Sequence, residues 1–166
     1  MISRLKLKFF PKKPYSEIDE KIKCLVDAMN ATGVITTVAS CQGHFGGLFR
    51  RPPYVYFKAP VDVAALIERQ LRAAAMFDDK RLKSFWLIKG VFDENYCLTF
   101  LLYSPKYEQE STSLVRDAWD CLLNRKNLDT DLLNLATIVE QTMLLNSRNE
   151  HEPRISQSYK HCGKCK

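Results

Sequence analysis

No apolar run in this chain of 166 residues is long enough to cross a bilayer. The longest, over residues 97–103, falls far short of the roughly 20 residues that a membrane helix needs. No such run follows the basic opening "MISRLKLKFFPKKP" either, so a secretory signal is not expected, and the sequence points to the cytoplasm with no membrane partner. Internal repeats and a recognisable linker are both lacking. The carboxylates do not pair into an acid–base dyad: Asp78 with Asp79, and Asp93 with Glu94, read as turn residues, and "KRLK" at 80–83 as a solvated charge run. Six cysteines in a reducing compartment do not call for a disulfide framework.

What is present suits an ordinary globular protein. Apolar residues make up 46% and charged residues 27%, and the length suffices for a core without staples. A net charge of +6 favours acidic partners, nucleic acid among them, although much of it sits at the two ends.

Along the chain, "RLKLKFF" alternates as a short strand with Leu5, Leu7 and Phe9 inward and lysines outward. A helix is expected from Ser16, its N-cap, with Asp19 three residues on, a stripe of Ile18, Ile22, Leu25, Val26 and Met29, and Gly33 as its stop. "VITTVAS" is a β-branched strand that runs into a glycine-rich loop, and "YVYFK" is the next strand. Pro60 opens a second helix with Ala64, Ile67, Leu71 and Ala75 as its core face. "KSFWLIKGVF" and "NYCLTFLLY" read as a hairpin turned at residues 93–95. Two closing helices are expected, one carrying Leu114, Ala118, Trp119 and Leu122, the other Leu132, Leu135, Ala136, Val139 and Met143, with Asp129 or Thr130 as cap of the latter. The order (β)αββαββαα defines an α+β fold, a mostly antiparallel sheet of four to five strands with helices on one face. Residues 1–147 form that single domain, and 148–166 a polar tail.

Cys97 and Cys121 read as small core residues, and Cys24 as a residue off its helix's apolar stripe. Cys41, Cys162 and Cys165 remain. "HCGKC" at the tail and "CQGH" after the first β-branched strand share a two-residue gap with a glycine inside, the form of a metal hook. Together they would make a Cys₃His zinc site from Cys41, His44, Cys162 and Cys165, with His161 or His151 as substitutes for His44. The alternatives are a flexible tail that binds nothing and a loop whose glycines serve only the turn. A third is an anion pocket lined by Ser40, Cys41 and His44, with Arg50 and Arg51 behind it for phosphates or carboxylates. "RRPPYVYF" mixes arginine with aromatics as single-strand nucleic-acid surfaces do, while Tyr54, Tyr56 and Phe57 also suit a sheet.

Residues 18–44, "IDEKIKCLVDAMNATGVITTVASCQGH", resemble the opening of the wybutosine-synthesising tRNA methyltransferase family. That family begins with a helix D-x-x-I-x-x-L-V-x-x-(I/M)-N and a threonine-rich strand entering a Ser-Cys-x-Gly-Arg loop. Asp19, Ile22, Leu25, Val26 and Asn30 match the helix, and Thr36, Thr37, Ser40, Cys41 and Gly43 the strand and loop. His44 stands where the family has arginine. The resemblance implies an α/β-type layer, with a functional loop at Cys41.

Two functions follow as expectations. One is a small basic binding protein, stabilised by zinc, that acts sterically on a protein or ribonucleoprotein partner, as an anti-defence factor of a mobile element (a CRISPR inhibitor) would. The other is an RNA-modifying enzyme, methyltransferase-like, with Ser40, Cys41 and His44 in its cleft and S-adenosylmethionine as the donor that the resemblance implies.

Overall fold

In the computed structural model, residues 18–44, 51–77, 81–108 and 114–151 are described, the side chains of 114–124 and 148–151 excepted. After a turn at residues 19–22 the chain enters α1 (Lys23–Ala31), whose buried Leu25, Val26, Ala28 and Met29 continue the stripe begun by Ile22. Gly33 ends it at φ +72°, a left-handed conformation that costs glycine nothing. The Thr32 hydroxyl donates to the Met29 carbonyl at 2.8 Å and accepts the Val34 and Ile35 N–H groups. That side chain satisfies groups the helix end would otherwise strand.

Strands β1 (Thr36–Cys41), β2 (Tyr54–Lys58), β3 (Leu87–Phe92) and β4 (Leu98–Tyr103) form one antiparallel sheet in the order β1-β2-β4-β3. Helix α2 (Val61–Met76) separates β2 from β3. A short α3 (Pro105–Glu108) follows β4, and α4 (Leu114–His151) closes the fold. Alternation decides what each strand presents. Val55 and Phe57 of β2 and Phe100 and Leu102 of β4 join a core with Leu25 and Met29 of α1, Ile67 and Leu71 of α2, and Leu128, Leu132, Leu135 and Val139 of α4. Fully burying each such side chain contributes about 1.5–3 kcal/mol. The α+β architecture is as expected.

Two polar devices lock this frame. Asp131 of α4 is fully buried; its carboxylate accepts the Lys83 N–H at 2.6 Å and the Trp86 indole N–H at 3.2 Å, and burial pushes its pKa up. At the β3–β4 turn the Asp93 carboxylate accepts the Asn95 and Cys97 N–H groups, both at 2.9 Å, and pairs with the Lys58 ammonium at 3.0 Å. The Cys97 N–H first, and the Lys58 ammonium next, hold the Asp93 carboxyl below the usual carboxylate range.

The structure departs from the sequence expectations at several points. The two closing helices are one helix of 38 residues. No glycine or proline interrupts residues 114–151, and the expected caps lie inside it: Asp129 pairs with Arg125 one turn back at 2.9 Å, and Thr130 bonds the Lys126 carbonyl. Helix α4 also runs on to His151. Helix α1 starts at Lys23, because the Asp19 carboxylate turns to the Gln42 N–H instead of a first-turn partner. Ala75 is exposed, and Val63 and Ala74 take its place in the core. Cys97 is exposed, since it sits at the foot of the turn just before β4 begins. Strand β3 starts at Leu87 because Ser84 and Trp86 are drawn to Tyr107 and Asp131. The expected first strand, Ser16, Asp78 and Asp79 lie outside the described residues, as does the side chain of Cys121.

Candidate metal centre at the β1 corner

Strand β1 carries Thr37 on the face towards the helices, where Asn30 of α1 clasps it twice. The Asn30 side-chain amide donates to the Thr37 hydroxyl at 2.8 Å, and its Oδ1 accepts the Thr37 N–H at 2.9 Å. The register slips between Thr37 and Ala39, a bulge that leaves Val38 exposed. Beyond it, Ser40 lies opposite Val55 on the helix side, and Cys41 lies opposite Tyr54 on the other face. Ser40 and Cys41 therefore do not share a face.

Past Cys41 the chain is held by a web of bonds. The Gln42 N–H donates to Asp19 Oδ2 at 3.3 Å, and the Gln42 side-chain oxygen accepts the Lys21 N–H at 3.1 Å. Gly43, at φ +81°, is buried so closely that a Cβ there would lie 3.2 Å from both Leu128 Cδ2 and Pro53 Cδ. Arg125 of α4 donates to the Gly43 carbonyl at 2.8 Å. His44 and Arg51 then exchange two backbone hydrogen bonds, at 2.9 and 3.1 Å, as an isolated antiparallel bridge.

These constraints place three donor groups together. Asp19, Cys41 and His44 each offer one ligand atom, all within 4.8 Å of one another, and Asp19 Oδ2 lies 3.5 Å from His44 Nε2. Cys41 is buried, Asp19 half-buried and His44 exposed. Burial pushes the Cys41 thiol up. The Gly43 N–H bonded to it, and more distantly Arg51 and Arg125, pull the other way, while Asp19 adds to the rise. A raised thiol pKa works against a free thiolate nucleophile.

Of the residues the sequence marked out, Cys41 and His44 meet, and Arg51 is tied to His44. Arg50, His161, Cys162 and Cys165 lie outside the described residues, as does the side chain of His151. Asp19 was missed as a ligand, because its nearness to Cys41 depends on α1 packing on β1; its place in the family-like motif was the available signal. Arg125 was missed too, more than eighty residues away in the chain.

Away from this corner, a cleft of about 670 Å³ opens between the end of α1, the start of α2 and α4, lined by Ala28, Val34, Pro60, Val63, Met143 and Leu144 among others. None of the candidate ligand, catalytic or partner-contact residues read from the sequence lines it. Among the described residues no helix is long and apolar enough to cross a membrane. Comparisons with protein-family models, curated proteins and solved structures returned no match.

Proposed function

We propose that this chain is a small binding protein that engages single-stranded RNA of a ribonucleoprotein partner through the face of its sheet that points away from the helices. The observation that carries this reading is a row across three strands. Cys41 pairs with Tyr54, and Tyr54 with Tyr103, so all three point to that face. Tyr56 joins them, its ring edge-on to Tyr54 with centroids 5.4 Å apart, and the Lys89 ammonium sits 4.2 Å from the centre of the Tyr103 ring. All three tyrosines are half-buried, and none belongs to the core. Rings on a sheet beside cations are what unstacked bases and their phosphates need. Arg51, at the end of the same row of strands, adds a cation that suits phosphate. A protein of this kind acts sterically, by occupying RNA that another component requires, which is how an inhibitor of an RNA-guided defence complex would work.

The test is fluorescence anisotropy with a labelled single-stranded RNA oligonucleotide. Losing two stacking rings in Tyr54→Ala/Tyr103→Ala should weaken binding by at least about tenfold, since each stacked base is worth about 1–3 kcal/mol. Binding should also fall as salt is raised. Equal affinity in wild type and variant, or no RNA binding at low salt, would remove this reading.

A second reading, an RNA-modifying enzyme, is favoured by one observation. At family-like positions, Asn30 and Thr37 join α1 to β1 through their side chains, and Asp19, in the turn before α1, holds the Gln42 N–H just after β1. It requires that S-adenosylmethionine raise the melting temperature and that Cys41→Ala abolish the rise.

A further inference from the structure

Independently of the RNA reading, we propose that Asp19, Cys41 and His44 form a binding site for one divalent transition-metal cation, zinc by its donor set. The ligands come from three places: the turn before α1, the end of β1 and the His44–Arg51 bridge. A site assembled from distant segments exists only in the folded chain, and so its metal stabilises the fold.

The donor chemistry fits. A carboxylate and a thiolate balance the charge of a divalent cation, and a neutral imidazole completes a mixed O/S/N set that hard cations such as magnesium do not select. Tetrahedral zinc separates its ligand atoms by about 3.3–3.6 Å, given bonds of about 2.0–2.3 Å. Asp19 Oδ2 and His44 Nε2, at 3.5 Å, already stand at that spacing, and the whole trio lies within 4.8 Å. The remaining separations exceed that spacing by no more than about 1.5 Å, within reach of side-chain rotations.

The surroundings orient the ligands as outer partners do in metal sites. The Gln42 N–H fixes the Asp19 oxygen, and the Gly43 N–H points at the Cys41 sulfur. Arg125 holds the Gly43 carbonyl, and its charge is taken up by Asp129 at 2.9 Å. With three protein ligands in place, one position remains. His44 is exposed, so solvent reaches the site, and water or an incoming thiolate can fill that position. This site differs from the expected Cys₃His site in its use of Asp19, and the tail cysteines are dispensable for its capture of the metal.

The experiment uses the full chain, purified without a histidine tag, stripped with a chelator and titrated with Co²⁺, whose spectrum reports thiolate bonds and geometry. One equivalent should bind with a thiolate-to-cobalt charge-transfer band and the visible bands of a tetrahedral ion. Cys162→Ser/Cys165→Ser should keep one equivalent and a charge-transfer band. Cys41→Ser should lose that band. His44→Gln, at an exposed position that leaves the core untouched, should weaken binding by at least about tenfold, and Asp19→Asn likewise. Circular dichroism confirms that each variant is folded, and His44→Gln decides the matter should Cys41→Ser unfold. A band that survives Cys41→Ser, binding lost in the tail variant, affinity unchanged in His44→Gln, or no cobalt bound would each overturn the proposal.

Discussion

The guanidinium of Arg125 donates to the Gly43 carbonyl at 2.8 Å while its Nε is held by Asp129 at 2.9 Å. The longest helix thereby grips the loop after β1 by its backbone. Arg125→Ala should therefore destabilise the protein by about 1–2 kcal/mol, the range for a charged, half-buried hydrogen bond, measured by urea unfolding. Arg125→Lys should recover only part of it, since an ammonium lacks the guanidinium's fork. An alanine variant as stable as wild type would mean that Gly43 and the His44–Arg51 bridge hold the loop unaided.

Asp131 offers a second expectation. Both its oxygens accept from N–H donors, so the amide of Asp131→Asn would set a donor against a donor and cost about 1–3 kcal/mol. The pH dependence has a definite sign. Burial raises the Asp131 pKa in the folded state, so between the ordinary Asp range and the raised value the folded state holds a proton that the unfolded chain has lost. Stability from this group is largest on the acid side and declines as pH rises through that window. The gap between wild type and Asp131→Asn should narrow across it; a gap that widened with pH would contradict the assignment.

Asp93 behaves in the opposite sense. Its carboxyl is held low, so its contribution is present above the ordinary Asp range and is lost as pH falls through the depressed folded-state value. A titration of the Asp93 carboxyl by NMR should give a midpoint below that range. Lys58→Met should raise the midpoint only part of the way, because the Cys97 N–H is the larger cause. An ordinary midpoint in the wild type would show that the turn does not form as described.

Local pattern made the elements legible in the sequence, and contact between distant segments made the rest illegible. The stripe of Leu25, Val26 and Met29, the alternation in "YVYFK" and the acidic turn at Asp93 are short-range signals, and the structure repeats each of them. Cys41 and His44 were legible as a pair because two residues separate them. Asp19 was not, because Ser16, three residues before it and two after Pro14, gave it an equally good local role in a helix cap. The division of α4 into two helices came from Asp129 and Thr130, good capping types that here find partners one turn back within the same helix. Cys97 was placed in the core by its apolar neighbours, and the tight turn that exposes it is settled by Asp93, four residues upstream.

Helix α4 also sets the order in which the molecule can be completed during synthesis. When β4 has left the ribosome, all four strands exist, yet Leu128, Leu132, Leu135 and Val139 are still to come, as are the Arg125 that secures the loop and the Asp131 that receives Trp86. Until those residues emerge, the inner faces of β2 and β4 lack the α4 side chains that complete the core over them. The nascent chain thus presents Phe57 and Phe100 to whatever is near, and chaperone occupancy should end once the second half of α4 clears the exit tunnel.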